Sequence, residues 1–528
     1  MPYIKYGPLY SQFHEVTKRL VFSAWSGVPT SVASLLSYAA DRNIAAASRG
    51  FLSVNTFAAR IRVAERFTYR LRAGEVGALS TLALFWPNHE LARRGDPLGV
   101  ARTAQKPLPA AEAERRVSAT LPEPSEDVRA WDAFFSMAGL LPPGADARSM
   151  VLAAMGDESN EDANVEVPDS GVLRHVDEAV RQADNTTREL GHADLARLAM
   201  HAPGNIALRS LQRVAGPSAT PEGIWIAAFV LADGIRRLFD RIESVATLVG
   251  IYGDRAEQPY WSSVLSYCAD GNLQAVLDEY VFQLRSELGG IELDDAELLH
   301  LARHASEVLR LRPARYLGHD TSRDRTPIPF QARFALRYGA RFGDNADVRD
   351  SAVRAAFNSP FAPFVLVSTS VGQEGIDFHW WCHAVVHWNL PRSPVDFEQR
   401  EGRVDRFAGH AIRRNVAAAH WQDVRASDDP DPWKAAFQFA MAAEDEKYGE
   451  FAPWWVYPGP AQVQRILARY PLSRDQDRYE RLRDDLALYR LTLGQPRQED
   501  MVELLRKRGV DGENAPTIDL RPPRSALR

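Results

Sequence analysis

Two patterns of apolar and polar positions alternate along the chain. The first is the short unbroken apolar run that stops at small or polar residues: Leu20–Trp25, Val365–Val367 and Ala384–Val386. Such runs predict strands of a parallel sheet, whose two faces are both covered. After the first run, Ser26, Gly27 and Pro29 make a turn. Thr30 or Ser31 is placed to cap a helix carrying Val32, Leu35, Leu36 and Ala39 at helical spacing. Residues 333–339 predict a strand running into a polar loop. Residues 347–357, with Val353 and Phe357 one turn apart, predict a helix that stops at Asn358-Ser359-Pro360. Residues 415–421 predict a further strand.

The second pattern is helical and fills most of residues 50–325. Residues 79–98 join an apolar run, a Pro-Asn turn and a short polar helix. Residues 222–250 predict one long helix that buries Ile226, Phe229, Ile235, Leu238 and Phe239. Residues 260–285 predict two helices around Asp270-Gly271-Asn272. Residues 102–127, rich in proline, alanine and charge, read as a surface linker, and 156–171 as an acidic loop. Beyond residue 430 the pattern is again helical, with Trp433, Trp454 and Trp455. Exposed, these rings could stack on bases; at helical spacing they would be core. The last fifteen residues read as a frayed tail. No internal repeat is visible.

Composition narrows the class. With 528 residues, 45% apolar and 25% charged, the chain has the make-up of an ordinary globular protein of two to four domains. No run reaches the length of a membrane span and the first residues lack the layout of a signal peptide, so a cytoplasmic protein with no membrane partner is expected. The two cysteines, Cys268 and Cys382, fit buried thiols, and no metal site is expected from them. A net charge of −6 offers no global attraction to nucleic acid, so any such site must be a local basic patch.

The chemistry concentrates in residues 365–415. The Val365–Val367 run leads into Ser368-Thr369-Ser370-Val371-Gly372, then Gly375, Ile376 and Asp377. The Ala384–Val386 run ends in His387-Trp388-Asn389-Leu390-Pro391. Gln399-x-x-Gly402-Arg403-x-x-Arg406 follows on a segment that reads as helical, which puts both arginines on one face.

These residues resemble motifs V and VI of superfamily 2 helicases and translocases, in wording closest to the Swi2/Snf2- or RapA-like bacterial branch. The Val21-Phe22-Ser23-Ala24-Trp25 strand and its helix resemble motif IV. The resemblance implies an α/β fold: a RecA-like parallel-sheet lobe that begins in residues 1–50, carries a long mainly helical insertion over 51–328, resumes over 329–425, and ends in a helical C-terminal extension over 426–528. It implies that Arg406, with Arg403 beside it, acts as an arginine finger on ATP, and that Gln399 orients nucleotide or water. Gly372, Gly375, Asp377 and Gly402 would belong to the nucleotide site. Ser23, Ser368, Thr369 and Arg392 would touch nucleic-acid backbone, DNA ahead of RNA. An always-charged, fork-shaped guanidinium suits the charge that spreads over a transferring phosphoryl group.

Two segments mimic the acidic pair that holds Mg2+ in this family, Asp177-Glu178 and Asp278-Glu279. Neither ends an apolar strand and both follow motif IV, the wrong order, so neither is expected to bind metal. No Gly-x-x-x-x-Gly-Lys-Ser/Thr loop occurs in the 528 residues. ATP and Mg2+ are therefore expected only together with a first RecA-like lobe supplied in trans. The alternative is a catalytically inactive remnant that binds DNA or serves as a protein scaffold.

Overall fold

The computed structural model describes residues 1–12, 16–47, 66–69, 71–72, 75–76, 79–121, 141–142, 144–156, 169–181, 192–253, 259–289, 292–318, 328–339, 346–369, 376–443, 449–468, 470, 473–492 and 498–512. The fold is mixed α/β, with two compact units. One comprises residues 16–38, 312–419 and 437–528; the other comprises 1–15, 39–311 and 420–436.

The first unit is built on a five-stranded sheet. Its strands are β1 (Lys18–Ser23), β2 (Ala335–Tyr338), β3 (Val365–Thr369), β4 (Cys382–His387) and β5 (Gln464–Leu467). The spatial order is β2-β3-β1-β4-β5, every neighbouring pair parallel. β1 is central, with Leu20 opposite Leu366 on one side and Val385 on the other. Leu20, Phe22, Leu366, Val367, Ala384 and Val385 are buried, which is why these strands show apolar runs rather than alternation. Val32 and Ala33 from the helix Val28–Ala47 pack on Val21, Val365 and Val367. Tyr479, Leu482 and Leu486 from Asp475–Leu491 pack on Leu390 and Phe397.

Several local expectations change. The first helix starts at Val28, ahead of Thr30 and Ser31; the Ser31 hydroxyl donates back to the Gly27 carbonyl and caps nothing. Residues 415–421 are not a strand but the middle of the helix His410–Ala426, which buries Val416 and Val424 eight residues apart. The fifth strand is instead Gln464–Leu467, half polar and only partly buried, so no apolar run announces it.

The second unit is helical, with the isolated pairing Ile4–Leu108 tying the first residues in. Its centre is Pro203–Val214, which is buried nearly all round. Within it, Arg209 donates to the carbonyls of Ala92, Ala199 and Met200 and to Gln274 Oε1. Gly204 is where this helix meets another backbone, since a Cβ there would stand 2.6 Å from the Trp86 carbonyl. Trp86, Trp225 and Phe229 form one aromatic cluster, with Trp225 Nε1 donating to Pro87 O at 2.8 Å. The long helix expected over 222–250 is two, Pro221–Phe239 and Ile242–Tyr252, and Ile226 and Leu238 are only half-buried. The expected linker over 102–127 contains the helix Ala110–Ser118, with Ala113 and Val117 buried and Pro109 at its N-cap. Residues 122–127, most of the acidic 156–171 segment and the last fifteen residues lie outside the described residues. Of the described helices, none is long and apolar enough to cross a membrane.

Candidate functional site

Parallel strands give the sheet two chemically different edges, and the sequence candidates divide between them. Ser23, Ser368, Thr369 and Arg392 lie at or just beyond carboxyl ends, where ligands meet open α/β sheets. Ser23 and Ser368 are buried and Arg392 is exposed. Ser23 Oγ accepts from Trp25 N at 3.1 Å, Ser368 Oγ donates to Thr369 O at 3.1 Å, and Asn389 Oδ1 accepts from Ala24 N at 2.8 Å. The guanidinium of Arg400 props this edge from below. It donates to Asn389 O at 3.0 Å and lies over the Phe22 ring.

Asp377, Arg403 and Arg406 gather near the amino end of β4. The helix Pro394–Glu401 makes this possible. Ser393 caps it by accepting from Asp396 N at 3.1 Å, Pro394 takes the first position, and Gly402 closes it. The arginines therefore do not share a helix face, because both lie in the turn beyond Gly402. A Cβ on Gly402 would meet Glu398 O at 3.2 Å and the Arg406 Nη1 at 3.5 Å. Gln399 is exposed on the helix. Gly372 and Gly375 lie outside the described residues.

The two arginines differ. Arg403 is 9% exposed; its Nη1 donates to Ile376 O at 3.1 Å and its carbonyl accepts from Phe378 N at 2.8 Å. Arg406 and Asp377 are each 42% exposed and pair through Nε and Oδ1 at 2.9 Å. One arginine stitches the turn to the 376–378 segment, and the other presents its charge to solvent.

Buried groups hold this turn. Arg413, fully buried, donates to Ala408 O at 2.9 Å and to Trp380 O, and its guanidinium lies over Trp380 and Trp381. Beside it, His383 Nδ1 and His410 Nδ1 are 2.9 Å apart, both rings buried. Burial, with Arg414 and Arg19 nearby, pushes His383 down to about 4, and burial with Arg413 pushes His410 well below its ordinary value. Burial also drives His379 to about 4; its Nδ1 has no hydrogen-bond partner among the described residues. At the end of the helix, Glu401 takes both arms of Arg465, at 2.5 and 2.7 Å, with His387 Nε2 at 3.5 Å. Burial alone would raise the Glu401 carboxyl, but Arg465 and His387 hold it below the usual range.

Residues 343–408 match the helicase conserved C-terminal domain. The matched stretch runs through β3, β4, the helix Pro394–Glu401 and both arginines. It supports a helicase-type C-terminal lobe in this part of the chain. No curated protein and no solved structure matches the chain significantly.

Sequence reading did not single out Glu401, Arg413, Arg465 or the histidines. Arg413 lies between the motif and residues 415–421, where no element was predicted, and Arg465 on a strand without an apolar signature. Of the flagged tryptophans, Trp433 is core, Trp454 is half-buried and Trp455 is exposed. The acidic pairs fall on helices: Asp278 is buried against Tyr3, Ser210, Gln274 and Arg213, and Asp177 pairs with Arg148 at 2.8 Å.

Proposed function

We propose that the parallel-sheet unit is the second motor lobe of a superfamily 2 nucleic-acid helicase or translocase, and that it supplies Arg406 to ATP bound on a first lobe outside these 528 residues. The observation that carries this reading is the split between the two arginines. A finger must reach a phosphoryl group on a partner surface, so it must be exposed and exchangeable. Arg406 meets both conditions, and its pairing with Asp377 is a parking contact of the strength of a surface ion pair. Arg403 keeps the turn in place from beneath. ATP supplies the phosphoryl group. In this reading Mg2+ has its ligands on the nucleotide and the first lobe.

Nucleic acid, DNA first, belongs to the opposite edge. Backbone contacts there are sequence-independent, with Thr369 and Arg392 as the groups nearest solvent and Ser23 and Ser368 shaping the strand ends.

The test is DNA-stimulated ATP hydrolysis by the chain combined with a P-loop-bearing first lobe, for which the product of the adjacent upstream gene is the first choice. The mixture should be active, the chain alone silent, and Arg406→Ala should cost about 10³-fold or more. DNA binding without hydrolysis in any combination would favour the alternative, an inactive binding or scaffold module.

A further inference from the structure

Residues 437–528 belong to the sheet unit but lie beyond the stretch that matches the helicase domain. They nevertheless close on the helix that leads into the arginine turn. The helix Asp475–Leu491 lays Tyr479, Leu482 and Leu486 against Phe397 and Leu390. Two glutamates one turn apart on Pro394–Glu401 are each taken by an arginine from this region. Arg490 donates twice to Glu398 Oε1, at 2.8 and 3.1 Å. Arg465, on β5, grips Glu401 with Nε and Nη2 on separate carboxylate oxygens, at 2.5 and 2.7 Å.

The two pairs are not equivalent. The side chains of Arg490 and Glu398 are 63% and 42% exposed, so solvent screens them. Those of Arg465 and Glu401 are 28% and 16% exposed. Arg465 is also held from two more directions: its Nη1 donates to Tyr479 OH at 3.1 Å, and its guanidinium lies over the Phe397 ring, 4.5 Å from the centroid. An ion pair placed in this way adds little net stability over apolar packing of the same volume, but it admits one geometry. That geometry matters because the arginine turn hangs on Glu401. The Glu401 carbonyl accepts from Val404 N at 3.0 Å and from Asp405 N at 3.2 Å, while on the far side Arg403 O accepts from Phe378 N at 2.8 Å. The 376–378 segment thus secures Arg403, and the end of the helix sets where the chain leaves toward Arg406.

We propose that Arg465 is a positioning residue for phosphoryl transfer: through the Glu401 carboxylate it fixes the end of the helix, and with it the place at which the Arg406 guanidinium is presented to ATP. The proposal rests on the motor reading and deepens it, giving the region beyond residue 437 control over the finger. Arg465 acts through Glu401 and the turn, not on the reacting atoms. A lysine there keeps the charge and loses the two-armed grip.

The experiment compares full-chain wild type, Arg465→Lys, Arg490→Ala, Arg406→Ala and the double variant Arg465→Lys/Arg406→Ala by two readouts. The first is amide hydrogen exchange of the chain alone. In Arg465→Lys, Val404 and Asp405 should exchange about ten-fold faster, while Leu366 and Val385 in the sheet exchange as in wild type. The second is ATP hydrolysis in the mixture with the P-loop-bearing lobe. Arg465→Lys should lower kcat about ten-fold with KM for ATP unchanged, and Arg490→Ala should stay within about two-fold of wild type. On the Arg406→Ala background Arg465→Lys should cost nothing further, because no finger is left to misplace; a merely structural role would lower the rate by the same factor in both backgrounds. Unchanged exchange at Val404 and Asp405, equal acceleration of the sheet amides, or an equal fractional loss in both backgrounds overturns the proposal and leaves the motor reading standing. A silent wild-type mixture overturns the motor reading, and the role of Arg465 in phosphoryl transfer with it.

Discussion

The clearest consequence of the site is that Arg403 and Arg406, three residues apart, should behave oppositely when truncated. Arg403→Ala removes a charged hydrogen bond from Nη1 to Ile376 O and empties a buried volume beneath the turn. A hydrogen bond from a charged donor contributes about 1.5–3 kcal/mol, so the loss should be about 2 kcal/mol or more. Arg406→Ala removes an ion pair whose two side chains are each 42% exposed, which solvent screens to under about 1 kcal/mol. With a urea slope of about 2–3 kcal/mol per molar, the first variant should unfold about 1 M earlier and the second within about 0.3 M of wild type. The assay is urea unfolding of the parallel-sheet unit, followed by near-ultraviolet circular dichroism. Equal midpoints for the two variants, or a larger loss for Arg406→Ala, would refute the division between a structural and a presented arginine. Asp377→Asn gives a second check, since releasing Arg406 should leave stability almost unchanged.

Three further outcomes follow from the packing. His383 and His410 are held neutral in the fold, with His383 at about 4, while the unfolded chain takes up protons near 6.5. Their folded values are lowered, so the fold loses stability as pH falls from about 6.5 toward about 4, by about 3 kcal/mol for His383, and His383→Gln should flatten that slope in urea titrations at stepped pH. Glu401→Gln breaks the two-armed contact with Arg465 and should destabilise the sheet unit by about 3 kcal/mol, read as an earlier urea midpoint; a neutral result would show that the pair is only a surface contact. Gly204→Ala drives a methyl into the Trp86 carbonyl and should cost the helical unit about 1–3 kcal/mol, whereas Gly27→Ala, with open space around it, should cost little.

Much of the sheet was legible because parallel strands must be apolar on both faces. β1, β3 and β4 stood out as runs, and the turn residues after them marked the edge. β5 was not legible, because an outer strand buries less and its Gln464 and Arg465 disguise it. Residues 415–421 misled in the opposite direction: their apolar residues sit in a helix whose polar side chains, such as Asn415, bind a neighbouring loop through Tyr457 O and Ala461 O. The motif spacing put Arg403 and Arg406 on one helix face, and the structure puts both in the turn beyond the helix. Spacing alone cannot show that Gly402 ends the helix, nor that one arginine turns inward. The flagged tryptophans divided by exposure, Trp433 buried and Trp455 open to solvent, which spacing alone does not reveal.

The central position of β1 bears on how the chain acquires its structure. Its two sheet neighbours, β3 and β4, lie more than three hundred residues further along. On the ribosome the strand is made first and must wait, unpaired on both sides, until nearly everything between has been synthesised. Closing so long a loop costs only about 2 kcal/mol more than closing one a tenth its length, because the entropy grows with the logarithm of length. The burden is therefore kinetic: an apolar segment with two free edges persists while the residues between it and its partners are made, an interval in which chaperones, or pairing with the wrong strand, compete for it.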